Sequence, residues 1–130
     1  MAALVALAQR DELKFTHCTI LEGLLSSQAN SIMQDKDGFL WVATNVGLNR
    51  FNGYEFEDMT YLLGVPPPIT VHALLSSQGG QLWIGTQDHG IFVYDPRAHA
   101  IVRYHAESEV GRLQDNYVKT LFEDSRGRLW

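Results

Sequence analysis

Five histidines, His17, His72, His89, His99 and His105, are the first residues whose type could do metal or acid–base chemistry. They fall on different runs, and no pair has the i, i+4 spacing with an acid between that sets two imidazoles on one helical face. No metal site is expected. Asp35-Lys36-Asp37-Gly38 has the outline of a calcium loop but lacks the acid that closes one, so a plain β-turn is the better reading. Asp11-Glu12 and the pair Glu107 and Glu109 offer carboxylates without a partner nucleophile, and are read as solvated loop charge rather than glycosidase acids. Gly79-Gly80 is read as a hairpin turn, since no P-loop, dinucleotide fingerprint or G-x-S-x-G occurs. Cys18, the single cysteine, can form no internal disulfide and has no neighbouring ligand set for zinc. The sequence thus assigns no catalytic, cofactor-binding or metal-ligating residue and implies no cofactor.

The chain that must position any other site has 130 residues, enough for one domain. It is 45% hydrophobic and 19% charged, too apolar for disorder and too mixed for a coiled coil or collagen-like fibre. Ten basic against 15 acidic residues give a net charge of -5, with the basic ones scattered, which argues against nucleic acid as a partner. No apolar run approaches the roughly 18 residues that would span a bilayer. MAALVALA at the start resembles the end of a secretory signal peptide, with a cleavage site before Gln9, although a basic n-region is missing. A mobile tail or short helix is the alternative there.

Self-comparison gives three copies of one pattern: SIMQDKDGFLW (Ser31 to Trp41), ALLSSQGGQLW (Ala73 to Trp83) and TLFEDSRGRLW (Thr120 to Trp130). All three tryptophans therefore close a Gly-x-Leu-Trp motif, through Gly38, Leu40 and Trp41, Gly80, Leu82 and Trp83, and Gly127, Leu129 and Trp130. Downstream, VATNVGLNRF aligns with IGTQDHGIFVY after one extra turn residue, matching Thr44 and Gly47 to Thr86 and Gly90. The tryptophans are 42 and 47 residues apart, close to the period of a four-stranded propeller blade.

No segment of helical length shows helical periodicity, whereas short β-rich runs recur between turn residues. The second unit predicts strands over Thr70 to Leu75, Gln81 to Thr86, Ile91 to Tyr94 and Ala100 to Tyr104. The first predicts Ser31 to Gln34, Phe39 to Thr44, Leu48 to Phe51 and Tyr54 to Met59, with Asp37-Gly38, Val46-Gly47 and Asn52-Gly53 as turns. Pro66-Pro67-Pro68 marks the passage between units and favours extended polyproline II geometry. Alternation puts Leu40 and Val42 on one face of their strand and Trp41 on the other, as expected of a blade packed between two neighbours, with the tryptophan filling an inter-blade gap. The fold class is all-β: a partial β-propeller of about two and a half four-stranded antiparallel blades. The expected organisation is a signal-peptide remnant over 1–8, a lead-in strand and linker over 9–30 and propeller repeats over 31–130. Blade one is placed at 31–65, blade two at 69–110 and the start of blade three at 117–130.

These units resemble the two-component regulator propeller repeat, I-x-x-D-x-x-G-x-L-W-I-G-T followed by a turn and G-L-x-x-[FY]. The first copy matches at Ile32, Asp35, Gly38, Leu40, Trp41, Thr44, Gly47, Leu48 and Phe51. The second matches at Leu74, Gly80, Leu82, Trp83, Ile84, Gly85, Thr86, Gly90 and Tyr94, with Ser77 in the acidic position and Ile91 where leucine is usual. The third runs only to its tryptophan. The resemblance implies a periplasmic sensor segment of an inner-membrane protein, with a histidine kinase or diguanylate cyclase output, while this chain is itself no enzyme. It also implies that Leu13 to Ile20 form a strand completing a last blade. A propeller closes with roughly four to eight blades, so the expected partners are the remaining blades or further copies, together with a periplasmic small molecule or glycan. The turns that differ in length between copies, carrying Asn45 in one and Gln87, Asp88 and His89 in the other, are the candidate ligand-binding loops. A secreted propeller enzyme acting on carbohydrate, or an interaction scaffold, are the competing readings.

Overall fold

A computed structural model describes residues 15–130. The expectations for residues 1–8 and for Asp11-Glu12 lie outside the described residues. Strands β1 (Ala29–Gln34), β2 (Leu40–Thr44), β3 (Leu48–Phe51) and β4 (Phe56–Asp58) form one sheet, and β5 (Val71–Ser76), β6 (Leu82–Thr86), β7 (Ile91–Asp95) and β8 (Ala100–Tyr104) form a second. Each sheet is an antiparallel meander in which consecutive strands are neighbours. The predicted strands are thus present, with no boundary moved by more than two residues.

The two sheets share more than topology. Met33 pairs with Trp41 and Leu75 with Trp83, and the ladder slips at the same place in both, between Ala29 and Ser31 and between Val71 and Ala73. Gly38, Gly80 and Gly127 occupy one repeated turn position with φ of 91°, 85° and 74°. A side chain there would meet its own backbone, which is why every copy carries glycine. In the third copy Phe122 and Trp130 exchange both backbone hydrogen bonds and Glu123 bridges to Leu129, so the same hairpin closes on itself.

The main core lies between the sheets. Trp41, Ala43 and Leu48 of the first face Val71, Leu82, Ile84 and Phe92 of the second, with Met59, Leu63 and Ile69 of the connection sealing one end. Trp41 is 1% exposed and its ring lies 6.3 Å from that of Tyr94 in the second sheet. The expected inter-blade role of this tryptophan is therefore observed. Trp83 points the other way, stacked on Tyr104 at 6.4 Å, on the face where Gly85 approaches Val118 of the third unit.

Two local expectations are corrected. Residues 15–19 form no strand, and Ile20–Glu22 is a single 3₁₀ turn capped by Thr19, because this run has no ladder partner among the described residues. The connection between the sheets holds a 3₁₀ turn, Thr60–Leu63, and the Pro67–Pro68 peptide is cis rather than part of an all-trans polyproline II run. Proline's small trans preference permits this.

Candidate functional site

The strand directions sort the loops to two ends. At one lie the β1–β2 and β5–β6 turns and the third hairpin, which carry the motif's acidic position. Asp35 Oδ1 accepts hydrogen bonds from the amides of Asp37 and Phe39, each at 3.0 Å, and Oδ2 accepts from Trp41 Nε1 at 2.7 Å. Asp124 repeats this with the amides of Arg126 and Arg128 at 2.9 and 3.0 Å and with Trp130 Nε1 at 3.1 Å. The Trp130 indole and then the Arg128 amide hold the Asp124 carboxyl below the usual aspartate range. These carboxylates are engaged by the protein's own donors, in keeping with a turn rather than a calcium loop. Ser77 takes the position in the second copy, where its Oγ accepts only from the Gln81 amide at 3.2 Å, and the buried Trp83 Nε1 has no partner. The substitution is legible in the sequence, but the unpartnered indole is not. The signal was the six-residue Asp-to-Trp spacing found in the first and third copies alone.

At the opposite end lie the β2–β3 and β6–β7 turns, the connection from β4 to β5 and the approach to β1. Thr44 and Thr86, both wholly buried, staple the turns: each hydroxyl donates to a glycine carbonyl, Gly47 at 2.9 Å and Gly90 at 2.8 Å. Thr70 ties the two nominated turns together. Its hydroxyl donates to the Asn45 carbonyl at 2.9 Å and its own carbonyl accepts from the Gln87 amide at 3.0 Å. Asn45 Nδ2 donates to Gln28, while its Oδ1 is buried without a partner. Gln87 and Asp88 project to solvent, and His89 is half-buried with its carbonyl held by Arg103 Nε at 2.8 Å. The structure thus brings Asn45 and Gln87 to one end, linked through backbone, and does not converge the four side chains on a common point. Among the described residues no three His, Cys, Asp or Glu side chains gather as metal ligands.

Beside Asn45 is a feature that spacing did not reveal. A cavity of about 510 Å³ opens at this end, walled by Leu25, Val46, Val65, Pro67 and Pro68. Its polar groups are Asp58, Thr60 and Tyr61. The walls are fixed by buried polar groups. Asn49, 0% exposed, accepts from the Leu25 amide at 2.8 Å and donates to the carbonyls of Gly23 and Glu57. Thr60 Oγ1 accepts from the Leu48 amide at 3.0 Å, and the Ile69 amide donates to the Val46 carbonyl. Gly47 lies so close to Thr60 Oγ1 and Leu25 Cδ1 that a side chain there would collide with both.

Comparison with known proteins fits this architecture. The family described as "Two component regulator propeller" matches residues 23–46 and 112–130, segments that hold Asp35 and Asp124, while the copy with Ser77 falls between them. A stretch of 50 residues is 44% identical to Histidine kinase P4 of Formosa agariphila, covering 38% of this chain and 4% of that protein. The extracellular domain of a hybrid two component system from B. thetaiotaomicron superposes with a TM-score of 0.73 at 28% identity, over 88% of this chain and 17% of that one. That of a one component system from the same organism shares the fold at 19% identity, with a TM-score of 0.58 over 83% of this chain and 20% of that one. The chain therefore spans a small part of the relatives it matches. With three internal copies of the motif and two four-stranded sheets in series, it is similar to the two component regulator propeller family over those matched segments.

Proposed function

We propose that this chain is part of a periplasmic, ligand-sensing propeller in a bacterial signal-transduction protein. The observation that carries the reading is the superposition of 88% of the chain on the extracellular domain of a hybrid two component system at 28% identity. The stretch similar to a histidine kinase favours a kinase output over a diguanylate cyclase. In this reading residues 31–65 and 69–110 are successive blades, 117–130 begin a third, and further blades cover the outer faces where Ile32, Phe122 and Trp130 stand exposed. The rim holding Asn45, Gln87, Asp88 and His89 faces the ligand, a small molecule or glycan. Sensing then requires that the ligand favour one of two states of the whole protein.

The test is an immunoblot of fractionated native cells with antiserum against residues 15–130. A band much heavier than 14.7 kDa in the membrane fraction, removed by protease once the outer membrane is opened, is the expected result. A band protected from that protease, or one confined to the cytosol, rejects the reading.

A further inference from the structure

We propose that the rim cavity beside Val46 binds a small organic cation, an ammonium group carried on an apolar body. The assignment deepens the sensor reading and rests on it for its part in signalling, whereas binding itself is measurable without it.

The argument is one of complementary chemistry. The walls are aliphatic and proline surface, which an apolar body would cover. One carboxylate, Asp58, stands in that lining, and no basic side chain lines the cavity with it. Asp58 Oδ1 accepts from the Thr60 amide at 2.9 Å, which fixes the carboxylate, and Oδ2 has no protein donor among the described residues. Neither ion pair of the described residues includes Asp58. Beside it Tyr61 is 71% exposed, so its ring face is available to a cation. Carboxylate and aromatic face together select positive charge, and the apolar walls select what carries it. An anion would meet Asp58 with no compensating cation, and a polyhydroxylated sugar would place its hydroxyls against prolines and aliphatic groups that offer them no partner. The cavity is also preformed, because Asn49 and Thr60 lock its walls through buried hydrogen bonds. Little ordering remains to oppose binding.

The experiment is calorimetric titration of the intact purified protein with phenethylamine, with phenethyl alcohol, hydrocinnamate and a maltooligosaccharide as comparisons. Phenethylamine is expected to bind tightest and hydrocinnamate not to bind. Asp58→Asn should weaken the amine about two- to fivefold, because Asp58 is exposed and its charge is screened by solvent. The asparagine oxygen can still accept from the Thr60 amide, so the wall stays in place, and unchanged binding of phenethyl alcohol checks that it does. Tyr61→Ala, at an exposed position, should weaken the amine about two- to fivefold. Equal affinity for amine and alcohol, indifference of the amine to Asp58→Asn, or preference for the oligosaccharide overturns the proposal. Amine binding that depends on Asp58 but leaves phosphorylation by the intact protein unchanged upholds the cavity and counts against its sensory role. A phosphorylation response to another ligand, with no amine binding, does the reverse.

Discussion

Asp35 holds Trp41 from within its own hairpin, Oδ2 accepting the indole Nε1–H at 2.7 Å while Oδ1 accepts two turn amides. One carboxylate thus closes the turn and fixes the ring that fills the space between the sheets. Arg50, paired with Glu57 at 2.7 Å, lies over the Trp41 and Phe39 rings and bounds that space from the other side. Removing the carboxylate leaves a buried indole donor and two amides without acceptors. Asp35→Ala is expected to destabilise the fold by about 2–3 kcal/mol, read as a lower urea midpoint. Asp35→Asn, which keeps an acceptor for the amides, should lose less. A cost for Asp35→Ala within experimental error would refute the role.

The second copy offers the converse experiment. Ser77 leaves Trp83 Nε1 buried and unpartnered, yet the backbone around it follows the other turns, with the Ser77 amide donating to Gln81 and the Gly80 amide to Ser77. Ser77→Asp should therefore give Trp83 its missing acceptor and stabilise the protein by about 1 kcal/mol. Glu123, which accepts from the Gln78 amide at 2.8 Å, is a nearby like charge that reduces the gain. Unchanged or lower stability would show that the cradle does not accept a carboxylate here.

Acid should act on the third hairpin. The Asp124 carboxyl is held below its usual range by the Trp130 indole and the Arg128 amide, so its folded value lies below its unfolded one. A group depressed in this way contributes stability above the unfolded value, about 3.9, and loses it as pH falls through the folded one. The Trp130 Nε1–H resonance is expected to stay constant through neutral pH and to move only in acid, below the ordinary aspartate range. Movement near neutrality would assign it another titrating neighbour.

The strands were legible because each copy writes its alternation and turn chemistry locally, and because two sheets obeying one pattern corroborate each other. Trp41 between the sheets followed from the same alternation. Asn49 was not legible. It reads as a polar residue in mid-strand, and its value lies in bonds to Gly23, Leu25 and Glu57 that only the folded chain brings near. The cavity was hidden for the same reason, since Leu25, Val46 and Pro68 are far apart in sequence. The Asn45 turn lies beside the cavity, which is walled by residues without any motif.

Gly47 is a sensitive point of that wall. A methyl group there meets Leu25 Cδ1 at 2.9 Å and collides with Thr60 Oγ1, which is fixed by the Leu48 amide. Gly47→Ala should destabilise by about 1–3 kcal/mol, the range for overpacking a filled site, as measured by thermal unfolding. A neutral effect would mean that the approach to β1 moves away freely.

Asn49→Leu tests whether that approach is anchored. Leucine keeps a similar bulk at a wholly buried position but can neither accept from the Leu25 amide nor donate to the carbonyls of Gly23 and Glu57. A half-buried amide left without its acceptor and two weakened carbonyls together should cost about 1–3 kcal/mol. Because two of the three lost bonds tether residues 23–25 and none belongs to the backbone ladder between β2 and β3, the damage should appear locally before it appears globally. Limited proteolysis is therefore expected to cut the variant within residues 15–28 while both sheets remain intact. Phenethylamine binding should fall with it, since Leu25 forms one wall of the cavity. Equal resistance of variant and parent would show that packing of Leu25 alone holds the segment, and that the Asn49 hydrogen bonds only satisfy donors which burial has already placed.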